Sequence, residues 1–484
     1  MTLSSQGSRV SGRSRWLALV VICLAMLMLV LDGTIVVVAL PAIQADLGFT
    51  TPNLAWVVNA YLVPFGGLLL ISGRLGDLVG KRRMFVIGLC VFTVASLLCG
   101  LAVNQAMLIA FRALQGAGAA LASSVVLSMI VTLFPEQREQ GRALGVFSFV
   151  QGAGASIGML AGGVLTQRLS WNWTLLVNVP IGIMVVAATL MVVERDRGQG
   201  LRAGVDVLGA VLVTAGAMLL VYVIVDTGPA AGRWSLFLLA AVLLAGFVLR
   251  QAKAATPLLP LGLFRVRPVA AGNVVMVLTV AGMMGFQFLT ALYLQQVLGL
   301  DALMTGFAFV PTPLSNAVVT LWLGPRLITR FGARPVLAAG LAITALGLAL
   351  LARVPVDGEY FADVFPALLL AGIGMGGAVP ALVGVAMSVG TPEHTGVASG
   401  LLNTVQQLGS AIGTAALATL AAAQTGALLA SGTGPKEAAA GGFRLAYLGS
   451  TALLVAAVIA GLLLMPARPV AARSPESTDS QRTP

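Results

Sequence analysis

Two charged side chains lie inside otherwise apolar runs. One is Asp32, in "LVLDGTIVVVALP" (Leu29–Pro41). The other is Arg112, in "AFRALQGAGAA" (Ala110–Ala120). An acid or base among apolar neighbours is rare and functional by default, because only a partner or a proton makes its burial tolerable. Asp32 stands 16 residues beyond Trp16, about 24 Å along a helix at 1.5 Å per residue. Arg112 enters its own run from the opposite side and reaches a comparable depth. Asp32 is the one embedded acid that can face it, so the two are expected to meet. A carboxylate that alternates between a proton and an arginine can do proton-exchange chemistry. A static ion pair that only fixes packing is the other reading.

The densest charge cluster is "GRLGDLVGKRR" (Gly73–Arg83), with four bases, one acid and three glycines between two apolar runs. Gly73, Gly76 and Gly80 suit a tight turn. Arg74, Lys81, Arg82 and Arg83 would hold that turn at one membrane face. Anchoring does not need Asp77. An acid there is expected to cap a helix N-terminus, where the dipole favours negative charge, and to pair with Arg74.

These residues need elements to position them. Of the 484 residues, 58% are hydrophobic and 9% charged, against about 25% charged in a soluble domain. Mean hydropathy is +0.98. Apolar runs of about 20 residues recur from end to end, so the chain is read as an all-α polytopic membrane protein. Period-two alternation, the mark of a membrane β-barrel, is absent. Fourteen spans are predicted: 16–40, 53–72, 84–103, 106–132, 142–166, 173–193, 206–226, 234–250, 269–297, 304–325, 335–353, 361–388, 396–424 and 443–466. Of the 28 Lys and Arg, 22 fall in the N-terminus, every second loop and the C-terminal tail; 5 fall on the other side and Arg112 within a span. Bases stay cytoplasmic, so both termini are expected there. The net charge of +11 is thus topology and points to no nucleic acid.

The sequence repeats itself. "GRALGVFSFVQGAGASIG" (Gly141–Gly158) and "GVASGLLNTVQQLGSAIG" (Gly396–Gly413) agree at eight of eighteen positions, 255 residues apart. Arg74, Leu75, Gly80 and Arg82 recur as Arg326, Leu327, Gly332 and Arg334, 252 apart. The expected organisation is a tail (1–15), a six-helix half (16–193), two linking helices (206–250), a second six-helix half (269–466) and a disordered polar tail (467–484). Duplicated halves around a central site are a transporter architecture.

On these stretches the chain resembles the major facilitator superfamily, in its fourteen-span drug:proton antiporter branch. "GRLGDLVGKRR" is similar to the superfamily's loop signature and "LDGTIVVVALP" to the branch's first-span motif. "RALQGAGAA" is similar to its fourth-span motif. "WNWTLLVNVPIG" (Trp171–Gly182) and "LYLQQVLGLDALMTG" (Leu292–Gly306) resemble further stretches of the branch. Two positions depart from the pattern. Val37 stands where Asn is usual, and "GMLAGG" (Gly158–Gly163) has Met159 in place of a proline. The resemblance implies export by proton antiport; the buried charges themselves lead to the expectation that protonation of Asp32 alternates with its contact to Arg112 and with substrate. It also implies a gate at Gly73, Arg74, Asp77, Gly80, Lys81 and Arg82 that locks the halves in one state. Import by proton symport is the alternative; within export, so is a narrow antibiotic self-resistance pump.

The central cavity is expected to draw on Asn59, Tyr61, Gln115, Gln151, Asn178, Gln287, Tyr293, Asn316, Asn403 and Gln406. With one embedded acid already opposed by Arg112, amphiphilic neutral or monocationic substrates fit best. Gly154, Gly158 and Gly162 share one helix face and suit close helix packing. Cys23, Cys90, Cys99 and the single His394 form no metal-binding or redox spacing, so no metal or cofactor is expected. "GIGMGG" (Gly372–Gly377) sits inside an apolar run with no strand before it and is no nucleotide site; no Walker sequence is present, so no direct ATP drive is expected. The expected partners are a small amphiphile, protons and the bilayer, with the chain acting as a monomer in the cell membrane rather than as an enzyme.

Overall fold

The computed structural model describes residues 12–465, apart from 197, 199, 201–205, 226–229, 255–256, 260 and 388–391. The tail 467–484 and most of the tail 1–15 fall outside these residues. Fourteen helical elements follow one another: α1 (Gly12–Leu47), α2 (Thr51–Val79), α3 (Lys81–Gly100), α4 (Gln105–Leu133) and α5 (Gln137–Arg168). Then come α6 (Asn172–Val192), α7 (Val207–Val225), α8 (Ala230–Lys253), α9 (Arg267–Gln296) and α10 (Ala302–Phe331). The last are α11 (Ala333–Leu351), α12 (Tyr360–Val385), α13 (Pro392–Ala430) and α14 (Pro435–Leu464). Among the described residues there is no strand. Thirteen of these elements are apolar and long enough to cross a membrane. The other, α5, has 32 residues, and its stretch 143–160 carries no charge. Helices are the open-ended way to satisfy every backbone group in lipid.

The helices run past the predicted limits. α1 continues through Pro41 to Leu47. α2 continues to Val79, so Gly73–Asp77 is helix rather than loop. The reversal falls on Gly80 alone, at φ +109°, a conformation that favours glycine. The correction has a simple cause: charged side chains at the membrane face reach water without unwinding the backbone.

The duplication is visible in the packing. Gly80 and Gly332 both take positive φ between consecutive helices. Gly88 and Gly118 bring α3 and α4 together, and Gly340 and Gly374 do the same for α11 and α12. Gly154 and Gly158 pack α5 on Val30 and Leu31 of α1. Gly409 and Gly413 pack α13 on Val277 and Ala281 of α9. Gly162 continues the first seam, with room for no Cβ: one would lie 2.6 Å from the Ile35 carbonyl. Small residues here let backbones approach, which lipid alone would not drive.

Among the described residues the two six-helix halves touch on two sides, α2 with α13, and α1 and α5 with α9 and α10. α2 lies along α13, with Gly66 against Thr404 and Gln407 and Gly400 against Leu70. On the other side Gly163 of α5 meets Ala302 of α10, and Gly306 meets Met159. Among the described residues this second contact holds toward the face opposite the basic loops. α7 covers the α2–α13 seam, and α8 packs on α7.

Candidate functional site

Asp32 sits near the middle of α1 and is fully buried. Its Oδ2 accepts from Arg112 Nη1 of α4 at 2.6 Å. Its Oδ1 accepts from Gln115 Nε2 at 2.8 Å and from Asn178 Nδ2 of α6 at 2.8 Å. Every neighbour of the two oxygens is a donor, as a carboxylate requires. Arg112 Nη1 also donates to Gln115 Oε1 at 2.7 Å, and its Nε donates to the Val57 carbonyl of α2 at 3.0 Å. The guanidinium lies over the Tyr61 ring, 4.5 Å from its centroid, a cation–π contact strengthened by exclusion of water. Ser96 of α3 closes the network: it accepts from Gln115 and Asn178 at 3.0 and 3.1 Å and donates to the Leu175 carbonyl at 2.8 Å.

The elements explain the convergence. Arg112 and Gln115 are three apart and share one face of α4. Gly116 next to them lets the Tyr61 backbone come so close that no Cβ would fit. Asn178 begins the second, longer stretch of α6, just after the break at Val177. Five helices thus give one polar cluster in an apolar interior. A buried pair of this kind is tolerable only when its other donors and acceptors are met, and here the two amides and the serine meet them.

Gln115 and Asn178, expected at a cavity wall, instead hold the carboxylate. Ser96 carried no signal in the sequence beyond being a hydroxyl in an apolar run. Asn59 is fully buried on α2, and neither its Nδ2 nor its Oδ1 has a partner among the described residues. Tyr293 is buried near the far end of α9, where its hydroxyl donates to the Pro355 carbonyl at 3.1 Å. Asn316 accepts from Thr320 at 3.3 Å, where α10 makes a π-turn over Val319–Leu323; such turns concentrate at functional sites. Gln151, Gln287 and Gln406 are half-buried, and Asn403 is exposed. A recess of about 370 Å³ between Pro52, Gln296 and Phe443 is lined by none of the predicted cavity residues and lies far from Asp32.

The charged turn departs from expectation. Asp77 lies in the last turn of α2, at a helix C-terminus, and is exposed. Among the described residues it makes no ion pair with Arg74. The acid that caps α3 is Asp196, which follows α6: its Oδ2 accepts from Lys81 N at 2.5 Å and its Oδ1 from Arg82 N at 3.0 Å. Asp77 cannot serve because the chain reverses after it, at Gly80. Lys81 Nζ reaches Thr132 at 3.4 Å, and Arg82 Nη2 reaches the Leu190 carbonyl at 2.7 Å.

Two helical halves related by duplication, with a shielded ion pair at mid-depth of the first, define a membrane carrier. The chain belongs to the major facilitator superfamily, whose profile matches residues 22–414. It is 37% identical over 93% of its length to the puromycin resistance protein of Streptomyces alboniger, covering 91% of that protein. It is 43% identical over 84% of its length to the cephamycin export protein of Amycolatopsis lactamdurans, covering 85% of it. To the lincomycin resistance protein of Streptomyces lincolnensis it is 35% identical, over 95% of this chain and 93% of that one. Its fold is similar to a bacterial homologue of the human lysosomal transporter Spinster, captured in an inward-facing and occupied conformation. That match has TM-score 0.67 and 16% identity, and covers 94% of this chain and 97% of that one.

Proposed function

We propose that this secondary transporter exports small amphiphilic compounds, antibiotics among them, from the cell in exchange for protons. The observation that carries the reading is the Asp32–Arg112 pair, held at 2.6 Å with both side chains buried. The relatives named for resistance or export supply the direction. The basic face is cytoplasmic, and the membrane is the plasma membrane. No ATP is consumed, no covalent bond of the substrate changes, and one chain suffices.

The mechanism follows from the charges. With the pair closed, each charge neutralises the other and the amides of Gln115 and Asn178 complete the carboxylate's shell. When the site opens outward, water reaches Asp32 and a proton takes the place of Arg112. The guanidinium, now uncompensated, cannot stay in a dry interior, so protonation favours the hydrated arrangement. On return, the proton leaves inward as Arg112 closes again. Half-buried amides such as Gln151, Gln287 and Gln406, on α5, α9 and α13, offer hydrogen bonds to a substrate between the halves. Asp77 and Arg74 belong to the gate that closes the cytoplasmic side in the other state.

The test uses inside-out vesicles energised so that the interior is acid. Candidate antibiotics are added singly while a pH-sensitive dye is read. Proton release that is absent with the Asp32→Asn protein is the expected result. A folded protein that no compound discharges, but that draws labelled compound out of the lumen, would mean uptake by symport instead.

A further inference from the structure

The turn between α2 and α3 is held from outside itself. Gly80, at the N-cap of α3, has no side chain to offer the unpaired N–H groups that begin every helix. Asp196 supplies what is missing. It lies on the connector that leaves α6, and it accepts from Lys81 N and Arg82 N at 2.5 and 3.0 Å. A carboxylate at the positive end of a helix dipole is favoured there. The same connector serves the end of α2: Gly200 N donates to the Leu78 carbonyl at 3.0 Å. Gly198 is pressed so close that a Cβ would stand 2.7 Å from Gly80 N.

A second acid braces the foot of α7 against α8. Asp206 precedes α7 and is almost fully buried. It accepts from Gly209 N at 3.0 Å, from Arg250 Nε at 3.0 Å and from Gln251 Nε2 at 2.8 Å, the last two on α8. Gln251 Oε1 accepts in turn from Leu259 N at 3.0 Å. Higher up, α7 meets α2 through Gly67 against Thr214 and through the Trp56 and Tyr222 rings, 6.3 Å apart. Ala210 packs with Ile71 of α2 as well. Toward the other half the hairpin has a hydrogen bond from Thr419 Oγ1 to the Ile224 carbonyl at 3.1 Å and an apolar contact of Val213 and Phe247 with Val269 and Leu401. Among the described residues this seam has no ion pairs and can slide.

We infer that Asp196 is a positioning residue for the N-terminal half: its hold on α3, together with the packing of α7 on α2, makes the α7–α8 hairpin part of that half. The hairpin then travels with α2 and α3 and slides past α13 when the halves rock. The inference rests on the alternating-access reading above, and adds to it which half carries the two extra helices.

Two readouts test it without any substrate. The first is hydrogen exchange at the amides of Lys81 and Arg82. Loss of their acceptor in Asp196→Ala is expected to speed exchange there about fivefold, the scale of a lost N-cap, and not elsewhere in α3. The second is spin-label distances in a Cys90→Ser background, since Cys23 and Cys99 are buried. Labels go on the exposed positions Arg83, Lys253 and Arg330, in acid and alkaline buffer and with Asp32→Asn as a bias. The Arg83–Lys253 distance is expected to stay fixed while Lys253–Arg330 shifts. In Asp196→Ala the first distribution broadens. If that variant does not fold, Asp196→Asn, which keeps one acceptor, is expected to show a smaller effect of the same sign.

Equal shifts in both distances of the unaltered protein overturn the inference. So does an Asp196→Ala protein with unchanged exchange and distances. If neither distance moves under any condition, rocking itself fails and the inference goes with it. A chain that moves as described yet releases no protons supports the inference and sinks antiport alone.

Discussion

At the scale of single residues, Asp32 and Arg112 were legible because each is an isolated charge in an apolar run. Their partners were not legible in the same way. Gln115 and Asn178 stood out as amides, but an amide in a span serves a ligand or a neighbouring helix equally well. Ser96 was invisible, since a helical hydroxyl usually returns to its own backbone, whereas this one donates to Leu175 of another helix. The network makes a prediction about charge balance. Removing one member of a buried pair leaves the other uncompensated, at a cost of about 3–5 kcal/mol. Arg112→Gln alone is therefore expected to lower thermal stability more than the Asp32→Asn, Arg112→Gln double variant does. Both are expected to abolish proton release. Melting in detergent checks the first statement and the vesicle assay the second. A double variant that still releases protons would move coupling away from this site. Asp32→Asn by itself is expected to fold with a lower midpoint if the cycle proposed above, which visits a neutral Asp32, is right. A protein that needs the pair only for packing would instead be lost from the membrane.

At the scale of elements, helix number and order were readable from apolar length, and helix ends were not. Charged turns such as Gly73–Asp77 read as loop, yet a helix crosses the membrane face without unwinding when its charges are long and flexible. For the same reason the acid that caps α3 could not be chosen from sequence: Asp196 lies over a hundred residues from the amides it serves. Asp77 is exposed and unpaired among the described residues, so Asp77→Asn is expected to change stability by less than about 0.5 kcal/mol. It is expected to slow transport several-fold through the state in which the gate closes, and an unchanged rate would remove Asp77 from the gate. Asp206 makes a prediction about pH. Burial pushes its carboxyl upward, but the hydrogen bonds from Gly209, Gln251 and Arg250 outweigh burial and hold it below the ordinary carboxylate value. A depressed value in the fold stabilises above the unfolded value, about 3.9. That contribution is lost as pH falls through the folded value. The unaltered protein is thus expected to melt higher than Asp206→Asn at neutral pH. The gap narrows in acid, and a gap that stays constant through acid would mean the carboxylate contributes no charge.

At the scale of the whole molecule, the duplication is close in its backbone and one-sided in its chemistry. Glycines at matching positions build both halves: Gly88 with Gly118, Gly340 with Gly374, Gly158 and Gly413. Yet the offset that relates Gly118 to Gly374 puts Leu368 and Ala371 where Arg112 and Gln115 stand. One half therefore holds the ion pair and the other has apolar residues at the matching positions, so on the antiport reading proposed above the driving charge need never cross between them. What must change is the contact between halves. At the face opposite the basic loops, Gln295 Nε2 donates to the Val38 carbonyl at 3.0 Å and Gln296 Nε2 to Gln44 Oε1 at 2.9 Å. Two polar bonds, one exposed and one part-buried, contribute about 0.5–1.5 kcal/mol each, weak enough to break once per cycle. Cysteines at Gln44 and Gln296, joined by a short thiol-reactive linker in the Cys90→Ser background, would hold that seam shut. The expected result is loss of proton release in the vesicle assay, full recovery when a cleavable linker is reduced, and no effect of the linker on either single-cysteine protein. Transport that continues with the seam cross-linked would mean the halves do not part there, and the outward-open state would have to be built from some other motion.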